Sequence, residues 1–201
     1  QLTMMQAYLD RQMHETAVFE FFIRTLPEQR GFLLAAGLES VIEFLEALKF
    51  SDEELTYLSE SGRFSKAMID YLARFCFQGD VDAMPEGSVF FPDEPILRVA
   101  APLPVAQFVE TRVINLLHVQ TLLASKAARC FLAAGGRVRL IDFGPRRAHG
   151  SEAGLWAARS SYIAGFDGTS TVLAGHLYGI PTFGTMAHSF IEAHDDEREA
   201  F

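Results

Sequence analysis

Cysteine, long apolar runs, excess positive charge and phosphate-loop motifs are all scarce or missing. Two cysteines, Cys76 and Cys130, stand in 201 residues with no CxxC and no Cys/His ligand spacing. That excludes a disulfide framework or a small zinc module, and the apolar helical surroundings of both predict reduced thiols in the core of a cytosolic protein. No run of about eighteen apolar residues occurs, the length a membrane helix needs. The most apolar region, "VAQFVETRVINLLHVQTLLASKAARCFLAA", carries Glu110, Arg112, Lys126 and Arg129. The first residues lack a basic-then-apolar leader pattern. Lys plus Arg number 17 against 26 Asp plus Glu, a formal charge of -9, which argues against a nucleic-acid surface. Neither G-x-x-x-x-G-K-[ST] nor G-x-G-x-x-G is present.

What is there is a balance of 49% hydrophobic and 21% charged residues, enough apolar matter for a globular core. "TAVFEFFIRTLP" predicts a strand over Ala17 to Arg24, and Leu38, Val41, Ile42, Leu45 and Leu48 keep helical spacing. Ser51 and Glu54 stand in capping-box register, so a helix should open at Glu53 or just before. "KAMIDYLARFCF" predicts another helix, running to Gly79. Four prolines from Gly79 to Leu103 suggest two or three short strands joined by turns. A single long helix should follow Pro104, with Val105, Val109, Val113, Leu116, Val119, Leu123, Ala127 and Phe131 on one stripe and glycines at its end. Beyond it, short apolar strands alternate with helices, the grammar of βα units with parallel strands. Sites in such folds lie at the carboxyl ends of strands. The loops to inspect therefore begin at Phe143, near Gly168 to Ser170, and at Gly184.

Each of these loops carries residues with two readings. In "IDFGPRRAHG", Arg146 and Arg147 offer forked donors for phosphate or carboxylate, and Phe143 a stacking face for a flat ring; equally, they make a surface ion-pair group and a core phenylalanine. "GFDGTSTVLAG" presents Gly168, Thr169, Ser170 and Thr171 as ligand-facing donors or as a turn. In "GTMAHSF", His188 follows a Gly-Thr turn directly after a strand. An imidazole there can shuttle protons, bind metal or act as a nucleophile that accepts a phosphoryl group. No HxxxH or HxE surrounds it, so metal binding is the weakest of the three.

Six stretches in order, "FFIRTLPEQRGFLLAAGLESVIEFLEAL", "GDVDAMPEGSVFFPDEPILRV", "ETRVINLLHVQTLLASKAAR", "DFGPRRAHG", "GFDGTSTVLAG" and "GIPTFGTMAHSF", resemble the nicotinate phosphoribosyltransferases. The resemblance implies an α/β fold: an N-terminal α/β domain, here residues 1–104, followed from residue 105 to 201 by the first βα units of an irregular α/β barrel of the type II phosphoribosyltransferase kind. It also implies that nicotinate and phosphoribosyl pyrophosphate are joined into nicotinate mononucleotide and pyrophosphate in NAD salvage. ATP and Mg2+ would take part, and active sites would be shared across a cytoplasmic homodimer, with no nucleic-acid or membrane partner. By the same resemblance His188 is the nucleophile phosphorylated from ATP, Phe143 stacks on the pyridine ring, Arg146 lies near the substrate phosphate, and Gly184 and Thr185 line the nicotinate pocket. Related nicotinamide-using enzymes place an aspartate where Ser170 stands. A carboxylate would repel anionic nicotinate, so Ser170 favours the acid.

The resemblance also has gaps. The family's Asp-x-Tyr, whose tyrosine stacks on the other pyridine face, would precede "QLTM". A closed eight-stranded barrel takes roughly 250 residues, so about three barrel strands, without the later arginine and glycine-rich phosphate loops, suggest a fragment. Such a half barrel is expected to be inactive and poorly soluble alone. The alternatives are a nicotinamide or quinolinate phosphoribosyltransferase, or a truncated non-catalytic remnant that acts by binding or oligomerising.

Overall fold

Alternation of side chains builds the first sheet. The computed structural model describes residues 1–201. After helix α1 (Leu2–Asp10), strand β1 (Thr16–Phe21) turns Ala17, Phe19 and Phe21 inward and Thr16, Val18 and Glu20 outward. It pairs antiparallel with β5 (Leu97–Pro102), whose Leu97, Val99 and Ala101 are buried, and β5 pairs on its other side with β3 (Asp80–Ala83). Glu20 and Arg98 face each other across the register and join at 2.8 Å. Between these strands come β2 (Leu33–Leu34), α2 (Leu38–Ala47), α3 (Asp52–Glu60), α4 (Lys66–Leu72) and β4 (Val89–Phe90). Strands β2 and β4 form a separate antiparallel pair.

Helix α3 opens on the expected capping box, with the Glu54 amide donating to Ser51 Oγ and the Ser51 amide to Glu54 Oε2. Helix α4 ends at Leu72, well before Gly79. The amides of Arg74 and Phe75 bond back only three residues, to Tyr71 and Leu72, a tightened last turn that stops the helix. Phe75 packs edge-on against Phe50, Phe108 and Tyr71, and that aromatic cluster wins over further helix. Cys76, carried out of helical register, is exposed. Cys130, near the end of the long helix, is exposed as well. Neither thiol is in the core: an apolar neighbourhood in sequence did not become burial in space.

Helix α5 (Leu103–Ala134) is the spine. Its first half enters a core of sixteen buried residues that gathers Met5, Val41, Leu72, Val99, Val109 and Leu116. Its polar face is used as well. Ser125 Oγ accepts from the Leu34 amide at 2.9 Å, and Thr121 Oγ1 donates to the Ala36 carbonyl at 3.1 Å. Backbone groups along and just beyond β2, with no strand on that side, are thereby satisfied. Phe131, at the far end of the expected stripe, is exposed because the helix has outrun its cover. Gly135, at φ 58°, then closes the helix in the left-handed region.

The remaining elements are β6 (Ile141–Asp142), a 3-10 turn at Pro145–Arg147, α6 (Ser151–Ile163), β7 (Gly168–Thr169), α7 (Val172–Tyr178), α8 (His188–Glu192) and α9 (Glu197–Ala200). Strands β6 and β7 are parallel, and Thr169 bridges Thr182 in parallel. The order is that of consecutive βα units, as expected, with the outer edge of β6 unpaired. No helix is long and apolar enough to cross a membrane.

Candidate functional site

Parallel pairing brings the carboxyl ends of β6, β7 and the Thr182 segment to one side of the sheet. The backbone continues this pairing: the Ser170 amide donates to the Asp142 carbonyl at 2.8 Å, and the Phe183 amide to the Thr169 carbonyl at 2.9 Å. The loops that start at Phe143, Ser170 and Gly184 consequently leave the sheet as neighbours. Phe143 is 47% exposed, which excludes its reading as a core residue. Arg146 is exposed on the 3-10 turn, Ser170 is half-buried at the strand end, and Gly184 and Thr185 are exposed. His188 is the exposed first residue of α8.

The floor of this edge is set by a buried contact. Asp142 Oδ2 accepts from Thr169 Oγ1 at 3.0 Å, and Oδ1 accepts from the Gly144 amide at 3.0 Å. Thr169 Oγ1 also accepts from the Thr171 amide at 3.0 Å. One carboxylate therefore fixes both the start of the Phe143–Arg146 loop and the strand below Ser170. Gly168 sits where the chain crosses the Thr182 segment. A Cβ there would collide with the Pro181 carbonyl oxygen and the Phe183 ring, so only glycine lets the two backbones approach this closely.

A second device ties these units to the first sheet. Arg159 on α6 and Glu86, in the turn between β3 and β4, are only 12% and 18% exposed and meet as a two-pronged pair at 2.6 and 2.9 Å. Glu86 Oε1 also accepts from the Gly37 and Leu38 amides at the start of α2, so its charge faces the positive end of that helix. Glu39 completes the cluster, and the guanidinium lies 5.7 Å from the Tyr178 ring centroid on α7. Burial pushes the Glu86 carboxyl up. The Arg159 hydrogen bonds and charge, with the two amides, outweigh burial and hold it below the usual carboxylate range. The sequence reading missed this clasp, because its members lie 73 and 120 positions apart and no local spacing reports them.

No group of three or more His, Cys, Asp or Glu side chains converges to hold a metal. Asp142, the buried acid at the site, already holds Gly144 and Thr169. These residues give Mg2+ no donor set of their own.

A family model described as the nicotinate phosphoribosyltransferase (NAPRTase) N-terminal domain matches residues 1–118. The chain belongs to the nicotinate phosphoribosyltransferase family. Among relatives in this family, nicotinate phosphoribosyltransferase pncB2 of Mycobacterium tuberculosis is 54% identical over 201 residues, which is 100% of this chain and 43% of that relative. The Bacillus subtilis nicotinate phosphoribosyltransferase is 44% identical, over 100% of this chain and 41% of its own. The crystal structure of human nicotinic acid phosphoribosyltransferase superimposes with a TM-score of 0.87 at 39% identity, covering 95% of this chain and 39% of that one. The nicotinate-nucleotide pyrophosphorylase of Pyrococcus furiosus, at 24% identity and a TM-score of 0.78, shares the fold. The fold is thus the mixed α/β architecture of this family with its sheets open, and the chain spans about two fifths of the length of the relatives it matches.

Proposed function

We propose that this chain supplies the nicotinate-recognising and phosphoryl-accepting part of a nicotinate phosphoribosyltransferase, which forms nicotinate mononucleotide and pyrophosphate from nicotinate and phosphoribosyl pyrophosphate. The observation that carries this reading is the parallel alignment that sends the Phe143, Ser170 and Gly184 loops out of one sheet edge, together with the family membership. Phe143, half-exposed, offers its face to the pyridine ring. Arg146 supplies a forked donor for the substrate phosphate. Gly184 and Thr185 line the ring pocket, and Ser170 leaves it without a carboxylate, which favours the anionic acid over the amide. A second copy of the protein completes each site.

His188 serves as the nucleophile. An imidazole nitrogen of His188 forms a bond to the γ-phosphorus of ATP while the bond to the departing ADP oxygen breaks. Hydrolysis of that phosphohistidine then couples ATP consumption to phosphoribosyl transfer. The solvent-facing position of His188 at the start of α8 supports this reading, since the side chain is free to meet a nucleotide.

The test uses protein expressed from its complete gene and ATP labelled at the γ-phosphate. Acid-labile label on His188 is expected, lost in His188→Ala, with nicotinate mononucleotide synthesis persisting more slowly and uncoupled from ATP. Label that survives His188→Ala overturns the assignment. In the same assay Ser170→Asp should lower kcat/KM for nicotinate by about tenfold or more; an unchanged value removes the role given to Ser170.

A further inference from the structure

A cavity of about 560 Å3 opens between α5, α6 and the loop after β6. Arg30, Lys126, Arg147 and His149 line it, and its single acidic lining residue is Asp142. That carboxylate is already committed, one oxygen to the Gly144 amide and the other to Thr169 Oγ1. Every ion pair among residues 1–201 is made by Arg98, Arg112 or Arg159. Arg30, Lys126 and Arg147 thus have no carboxylate partner, in a chain whose acids outnumber its bases 26 to 17. Arg30 Nη1 is buried with no acceptor at all, and buried donors are paired in nearly all folded proteins. Such a grouping of unpaired cations fits an anion.

The other wall is apolar. Val119, Leu122 and Leu123 on α5 and Phe166 after α6 face the same space, and the volume lies in the range of small-molecule sites. Phe143, Arg146, Ser170, Gly184, Thr185 and His188 are all absent from the lining. Neighbouring arginines of one 3-10 turn are thereby divided, Arg147 to this cavity and Arg146 outside it.

We propose that the cavity binds a small organic anion, a phosphate or carboxylate carried on an apolar body, at a site separate from the one given to nicotinate. Arg30, Lys126 and Arg147 hold the charge, and the α5 wall covers the body. The site stands whatever pyridine the Phe143 loop takes.

Cys130 lines the cavity and is exposed, which makes it a built-in reporter, and exposed Cys76 is the reference. Protein from the complete gene is alkylated with anionic iodoacetate or neutral iodoacetamide, and each thiol is followed by mass spectrometry. The cationic lining should raise the iodoacetate-to-iodoacetamide rate ratio at Cys130 about fivefold over that at Cys76 in low salt, and less in high salt. Phenyl phosphate or benzoate at millimolar concentration should protect Cys130 and not Cys76, and inorganic phosphate should protect less than phenyl phosphate because it leaves the apolar wall bare. The stronger of the two organic anions identifies the charged group. Arg30→Gln and Lys126→Gln should each lower both the ratio and the protection, and Arg146→Gln neither. Equal ratios at the two thiols overturn the proposal, as does a Cys130 inert to both reagents. Protection that is lost with Arg146→Gln and kept in the other two variants assigns the anion to the nicotinate site and overturns it too.

Discussion

The two ends of α5 are held by different physics. Around its first half, sixteen residues close into a core rich in leucine, valine, methionine and aromatics. Around its last turns the cluster has six members, all alanine except Leu34. Alanine removes little apolar surface from water, so at roughly 25 cal/mol per Å2 the second cluster contributes a small fraction of what the first does. Specific polar contacts hold what area does not: Asp142 with Thr169, and Glu86 with Arg159. The loops that carry the candidate chemistry thus stand on the lightly packed side, on strands of two residues. Local opening is expected there first.

The sharpest way to break this contrast is to hollow the first core. Leu72 is wholly buried, and Leu72→Ala should cost about 2 to 5 kcal/mol, read as a lower urea midpoint for the whole chain. A loss below about 1 kcal/mol would mean that the first part does not carry the fold.

Next in size is the clasp. Arg159→Met strands Glu86 without its cation, and about 2 to 4 kcal/mol of destabilisation is expected, with faster hydrogen exchange in α6 and at residues 143–149. Acid should act on the same pair. The folded Glu86 carboxyl lies below its ordinary value of 4.5, so the unfolded chain binds the proton more tightly. The stability it contributes is present above that ordinary value and is lost as pH falls through the lowered one. Glu86→Gln should flatten this part of the acid-stability curve, and an unchanged acid slope in that variant would show that the clasp is not what acid attacks.

The smallest effect sits where the two regions meet. Gln120 is fully buried on α5, and neither of its amide atoms has a partner. Gln120→Leu, close in volume, should be neutral or stabilising by up to about 1 kcal/mol in thermal unfolding. A clear loss would reveal a hydrogen bond that holds the two halves of the helix in register.

Much of this was legible along the chain, for reasons of range. The α5 stripe, the Ser51–Glu54 cap and the first strand are written within a few residues of each other, and the structure has them, except that Phe131 at the end of the stripe is exposed and the strand expected over Ala17 to Arg24 ends at Phe21. The order of βα units was legible too, and with it the side of the sheet where the Phe143, Ser170 and Gly184 loops emerge. The end of α4 was not, because Phe75 is drawn away by Phe50 and Phe108, which are distant in sequence. The two thiols misled for the same reason: apolar neighbours say nothing of which face of a helix finds cover. Nothing along the chain marks Arg159, Glu86 and Glu39 as partners; only the meeting of three separate segments does. The unpaired cations Arg30, Lys126 and Arg147 likewise come from three segments, and only their shared cavity gives them a common meaning.

Gly168 sets a limit on how this edge of the molecule can change over generations. A strand of two residues has one position shut to every side chain by Pro181 and Phe183, while its neighbour Thr169 is pinned by Asp142. Ser170 is the first position beyond them: its amide is held by the Asp142 carbonyl, and it has no Cβ clash or buried carboxylate contact of the kind that fixes Gly168 and Thr169. Under the role proposed for Ser170, a change in what this loop accepts needs one exchange at residue 170, over a backbone that stays where it is, rather than a shift of the strand itself.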